Sequence, residues 1–359
     1  MNKEKVKVSK SASGYSQVVN PNLKARIILY ACLGMLVMLI IPLKHISYAS
    51  EGGTSSFTPG AQGDFGLNYY PQGLYFRENI VYTDGTLKNY PVQPGVNAKL
   101  DAEVWFNLFQ IVYSSNVNIL GGRYFANVNI PIGIDADLTA NLHIPQEDGT
   151  IATVKQQDRT TGLGDIQVVP FGIVWDKGNL HYLFAQNLVL NTGRYKSPLI
   201  NPTELINNMG RNYFSYDEVV GVTWLDETNG HEASFMAGYM INTKNQATDY
   251  KTGNEFHVDF TLAQFLSKQF GLGVVGYYYK QVTDDESPAL DAINTINKTM
   301  GLATPGGYKS KGAAVGPAVI FTPNIGGHDV NLIGKWLHEF SMDNRLEGEW
   351  VWLSAVVKF

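Results

Sequence analysis

His257 and Asp259 stand two residues apart in a stretch where polar and apolar side chains alternate. On a strand both point to one side, where an imidazole and a carboxylate can exchange a proton through water or a rotamer change. One reading is an acid–base dyad, the other a hydrogen-bond network in a polar interior. His231-Glu232, His328-Asp329 and His338-Glu339 are adjacent pairs, so on strands their members face opposite sides and form no joint site. The chain has no Gly-x-Ser-x-Gly elbow. Gly271-Leu272-Gly273 lacks the helix start that a phosphate-binding loop needs. Seven His residues without metal-ligand spacing leave zinc unsupported, and no cofactor is expected. The acidic run Asp284-Asp285-Glu286 reads either as a solvated loop or as a divalent-cation site bridging lipopolysaccharide.

The elements that carry these residues are strands. In 255–262, Phe256, Val258, Phe260 and Leu262 oppose Glu255, His257, Asp259 and Thr261. In 329–341, Val330, Leu332, Trp336 and Phe340 oppose Asp329, Asn331, Lys335 and Glu339, with His338 on the apolar face. Leu100, Ala102, Val104, Phe106 and Leu108 likewise oppose Lys99, Asp101, Glu103, Trp105 and Asn107, and Val351, Leu353, Ala355, Val357 and Phe359 share a face. Twelve strands are expected, near 64–76, 98–113, 122–134, 163–175, 179–192, 214–226, 231–242, 254–266, 270–282, 311–322, 328–341 and 345–359. Short turns alternate with long connections, notably 135–162, 193–213 and 283–310, and this with an even count predicts a transmembrane antiparallel β-barrel. Residues 286–300 have helical spacing through Ala289, Leu290, Ile293 and Ile296, giving a surface cap or a plug.

Composition agrees. Of 359 residues 44% are hydrophobic and 16% charged, with 20 Tyr, 17 Phe and 36 Gly, a load suited to strands and turns. The net charge of −5 argues against nucleic-acid binding. Residues 1–26 are basic, an apolar run spans Ile27 to Leu43, and Ser47-Tyr48-Ala49 offers a cleavage site, so 1–49 reads as an export signal. That stretch holds seven Lys/Arg and one acidic residue, leaving 20 basic and 31 acidic side chains beyond it. It also holds the single cysteine, Cys32, so no disulfide framework follows. Residues 50–62 read as a flexible lead and 63–359 as one barrel with both termini periplasmic. Phe359, ending an alternating strand, resembles the C-terminal signal read by the barrel-assembly machinery.

Several motifs resemble the outer-membrane proteins named for the meta-pathway of phenol degradation, a transporter-like barrel family. They are Gly162-Leu163-Gly164-Asp165, the run from Asn208-Met209-Gly210-Arg211 to Tyr216, and Asp249-Tyr250-Lys251-Thr252-Gly253-Asn254-Glu255. Gly276-Tyr277-Tyr278-Tyr279-Lys280-Gln281 with Asp284-Asp285, and Asn344-Arg345-Leu346-Glu347-Gly348, also fit. The resemblance covers most of 52–359; Phe214 departs from it, where relatives more often carry Trp. It implies an exported barrel linked to uptake of small hydrophobic or aromatic solutes, with outer-membrane lipid and lipopolysaccharide around it.

For such a path the lumen candidates are Trp105, Asn107, Arg123, Asp165, Gln167, His257, Asp259, Lys335 and Glu339. The alternative reading is that Arg123, Lys335, Asp165 and Glu339 neutralise one another across a closed interior. Eight strands make a filled barrel and sixteen an open one, so twelve predicts a narrow, gated lumen. The competing classes are an outer-membrane enzyme using His257 and Asp259, and an adhesive barrel working through its loops.

Overall fold

The computed structural model describes residues 54–359 apart from 67, 94–95, 147, 197–204, 303 and 305. The export signal expected over 1–49, Cys32 included, lies outside the described residues, as do residues 50–53.

Among the described residues the strands are β1 (Gly73–Gln93), β2 (Val96–Ile119), β3 (Gly122–Pro145), β4 (Ile151–Leu163), β5 (Gln167–Lys177), β6 (Leu180–Val189), β7 (Ser215–Asp226) and β8 (His231–Asn242). Then come the short β9 (Lys244–Asn245) and β10 (Tyr250–Lys251), β11 (Glu255–Phe265) and β12 (Phe270–Gln281). Helix α1 (Pro288–Met300) precedes β13 (Lys311–Phe321), β14 (Asn324–Ile325), β15 (His328–Asp343) and β16 (Glu347–Lys358). Neighbours pair antiparallel in chain order, β16 pairs back onto β1, and β13 pairs with β15 past the short β14. β4 and β5 share one stave, since β3 pairs with β4 over 132–145 and with β5 over 123–129. The result is the expected closed barrel of twelve staves.

One end of the barrel has tight turns. Leu120 and Gly121 both have positive φ, as a two-residue hairpin turn requires. The other end carries the extended hairpins of β1 to β4, the connection 190–214 and α1.

Three expectations are corrected here. The first strand is not 64–76: pairing starts at Gly73, and the described residues of 54–72 run inside the barrel. The lead is not free over 54–62, because Ser55, Ser56 and Phe57 are buried and hydrogen bonds tie it to the wall. It starts beside Arg345 and Ser215 at the long-loop end, whereas Phe359 lies at the short-turn end, where its N–H donates to the Leu74 carbonyl at 2.8 Å. Lastly, 135–162 is no irregular loop but the paired upper halves of β3 and β4. Ladder pairing satisfies the backbone there, which a long bare loop could not do.

Outward faces are apolar through the belt: Val220, Phe235, Leu262, Leu272, Val319, Leu332, Trp336 and Leu353 are all exposed. Such a surface suits hydrocarbon rather than water. No helix among the described residues is long and apolar enough to cross a membrane. α1 starts on Ser287-Pro288 and ends at Gly301 in the left-handed region. Its Leu290 and Ile293 pack on Leu87, Ala98, Leu100 and Ala140, so it caps the inner side of the extended hairpins.

Candidate functional site

The interior is built around the segment 54–72, which pairs with no strand and is held by side chains. Lys335 of β15 is buried and donates from Nζ to the carbonyls of Gly60 at 2.6 Å and Gly63 at 2.7 Å. Asp64 accepts from Arg77 of β1 and lies 3.8 Å from Lys335. Thr261 donates to the Asp64 carbonyl at 2.9 Å, and Asn68 donates from Nδ2 to the Phe235 carbonyl at 3.0 Å. Gly60 takes a φ of 73°, and a Cβ there would come within 2.4 Å of Leu337 Cδ1 and 3.3 Å of Trp352 Nε1. Only glycine fits there without displacing the wall.

The sequence candidates divide. His257 and Asp259 face the interior and are wholly buried. The nearest partner of His257 is not Asp259 but Asp217 of β7, with Nε2 3.1 Å from Oδ1. Asp259 lies 3.7 Å away, from Nδ1 to Oδ2. Room for the imidazole comes from Gly238 of β8, since any Cβ there would fall within 2.2 Å of His257 Nε2. Phe57 of the luminal segment covers the ring at a centroid distance of 4.5 Å.

Glu339 of β15 is buried and accepts from Tyr277 Oη, Trp350 Nε1 at 2.8 Å and the Gly348 N–H at 3.0 Å. Gln167 reaches the segment at Thr58 Oγ1, 3.4 Å away. Arg123 sits at the short-turn end, donating to the Tyr70 carbonyl at 3.2 Å and pairing with Asp176. The cross-lumen neutralisation of Arg123, Lys335, Asp165 and Glu339 is thus replaced by four separate local partnerships.

Trp105 and Asn107 are corrected outright. Trp105 is 42% exposed and tilts against Tyr82 on the outer face. Asn107 pairs in register with the outward Ile80, and its Nδ2 reaches Glu78 at 3.5 Å. The inward residues of β2 are instead Phe106, Leu108 and Val112, which pack on Val81, Trp352 and Phe125. Asp165 is a latch rather than a lumen group, accepting from the Gly193 N–H at 2.8 Å and the Arg211 N–H at 2.6 Å. Gly193 and Gly210 meet there backbone to backbone, leaving no room for a Cβ on either. The motif residues 162–165 and 208–212 therefore meet at one place on the rim.

Each residue of the acidic run 284–286 has a protein partner. Asp284 pairs with Lys309 at 3.2 Å and Glu286 with Lys251 at 2.8 Å. Asp285 accepts from Tyr250, the Gly253 N–H and Gln281. No cluster of metal-ligating side chains occurs among the described residues.

Sequence reasoning missed the luminal segment and the roles of Arg77, Thr261 and Arg345 in seating it. Arg345 is buried, stacks over Tyr279 at 4.3 Å and donates to Ser55 Oγ at 3.2 Å. A readable signal was the cluster of rings in a stretch otherwise rich in Gly and Ser: Phe57, Phe65, Tyr69 and Tyr70.

Residues 86–355 match the family described as "Putative MetA-pathway of phenol degradation". The COG4313 outer membrane channel from Pseudomonas putida F1 superposes with a TM-score of 0.61 at 10% identity, covering 85% of this chain and 100% of its own. The TodX monoaromatic hydrocarbon channel deltaS2 mutant gives 0.39 at 10% identity, over 87% and 95%. A Pseudomonas aeruginosa FadL homologue gives 0.36 at 11% identity, over 88% and 97%. No curated protein matches at this level of similarity. The first of these likenesses establishes the fold, that of an outer-membrane barrel.

Proposed function

The chain belongs to this phenol-degradation family of outer-membrane barrels, and on that premise we propose that it is a gated channel for small hydrophobic or aromatic solutes. One observation carries the reading. The lumen is filled by the described residues of 54–72, which make no ladder pairing and are held through side chains, whereas each wall stave pairs with a neighbour on both sides. A filler of this kind can leave without breaking the wall.

With short turns periplasmic and long hairpins outside, α1 covers the outer mouth. The inner wall then offers rings and aliphatic groups, among them Phe106, Tyr277, Tyr279, Trp350 and Trp352, beside the carboxylates of Asp217, Asp259 and Glu339. Such a lining gives apolar contact to a ring and orients its polar substituents. Lipopolysaccharide and outer-membrane lipid surround the belt, and the barrel-assembly machinery reads the strand ending in Phe359. The buried, covered state of His257 favours this reading over a catalytic one.

Deleting the gene and measuring uptake of a monocyclic aromatic at low external concentration tests the proposal. Uptake falls if the channel reading holds; unchanged uptake contradicts it.

A further inference from the structure

Phe57 is an aromatic ring already seated inside the barrel. Its ring stacks on His257 at 4.5 Å with a 29° interplanar angle and on Tyr279 at 5.7 Å with 18°. Tyr277 meets it edge-on at 5.7 Å. Val189, Met240, Val275 and Leu337 complete the apolar surround. These are offset and edge geometries in which aromatic pairs attract beyond their buried area.

Behind the ring of His257 the polar groups are under-satisfied. Its Nδ1 faces Asp259 Oδ2 at 3.7 Å, too far for a hydrogen bond, and neither Asp259 oxygen accepts one among the described residues. Buried acceptors without donors are costly, and a phenylalanine ring cannot supply one. The segment that carries Phe57 is the removable one.

We infer that Phe57 stands in for the solute: its seat between His257, Tyr277 and Tyr279 is a binding site for a monocyclic phenol. The ring of the phenol replaces the ring of Phe57, and its hydroxyl donates to Asp259. The inference rests on the channel reading for its physiological meaning and adds to it a named site and a hydroxyl requirement. A ring lacking a hydroxyl binds more weakly, because it leaves Asp259 as it was. A saturated alcohol of equal size loses the stacking.

The test is equilibrium binding of phenol, toluene and cyclohexanol to the full-length protein exported to and purified from an outer membrane, with folding checked by heat-dependent gel mobility. Phe57→Ala should bind phenol about tenfold more tightly than the unaltered chain, since the ring no longer competes. Phe57→Leu, which refills the seat, should show little of that gain. Adding Asp259→Asn to Phe57→Ala should cut the preference for phenol over toluene about tenfold and leave toluene binding nearly unchanged. Equal binding by Phe57→Ala and the unaltered chain would overturn the inference, as would equal affinity for phenol and cyclohexanol. Binding is read apart from transport. Tight phenol binding without solute influx upholds the seat and sinks the channel, and influx without phenol preference does the reverse.

Discussion

Residues 99–108 and 351–359 carry the same period-two alternation, yet they bury opposite faces. On β16 the apolar set Val351 and Leu353 points outward and Trp352 and Ser354 point in. On the upper half of β2 the apolar Ala98 and Leu100 point inward, and Asp101, Glu103 and Trp105 point out. The difference lies in what covers each face. β16 spans the belt, where the outside is hydrocarbon. The upper half of β2 rises above it, with water outside and α1 inside. Alternation fixes which residues share a face; the surroundings fix which face is apolar.

That contrast can be broken at several points. Lys335→Met removes the donor to Gly60 and Gly63 and leaves Asp64 with less compensation, at a cost of about 3–5 kcal/mol. Hydrogen exchange should show residues 54–72 losing protection while β16 keeps its own. Leu290→Ala, at the contact between α1 and the inner face of the extension, should cost about 2–5 kcal/mol, read as faster exchange confined to 288–300. Placing a cation on each outward face sharpens the comparison directly. Val220→Arg in the belt should cost about 2–4 kcal/mol, and Glu103→Arg on the extension within about 0.5 kcal/mol, both read from denaturant titration of refolded barrels in vesicles. An effect between those two is expected from Asp165→Asn, which keeps one acceptor for the Gly193 and Arg211 amides and loses the charge. It should cost about 1 kcal/mol, seen as faster exchange at those two amides alone.

Much of the wall was legible. Glu255, His257, Asp259 and Thr261 do share the interior face, and Lys335 and Glu339 do too, because β11 and β15 lie within the belt, where inside is polar and outside apolar. Trp105 and Asn107 were misread because the same rule was applied where the belt had ended. Asp165 was placed in the lumen because a break at 164–166 divides β4 from β5, and alternation cannot reveal a break that keeps its neighbours in line. The luminal segment was illegible for another reason. Residues 54–72 owe their order to Lys335, Arg77, Thr261 and Arg345, all distant in sequence, and Gly- and Ser-rich composition reads as freedom when those partners are unseen.

The account stands or falls on passage. Influx of a phenol and of a sugar of similar size should be measured into vesicles holding the folded barrel, beside lipid-only vesicles that report unaided crossing. The account predicts protein-dependent influx of the phenol above the sugar, increased by Lys335→Met as the luminal segment loosens. Influx equal to that of bare lipid in both the unaltered and the Lys335→Met protein would contradict it.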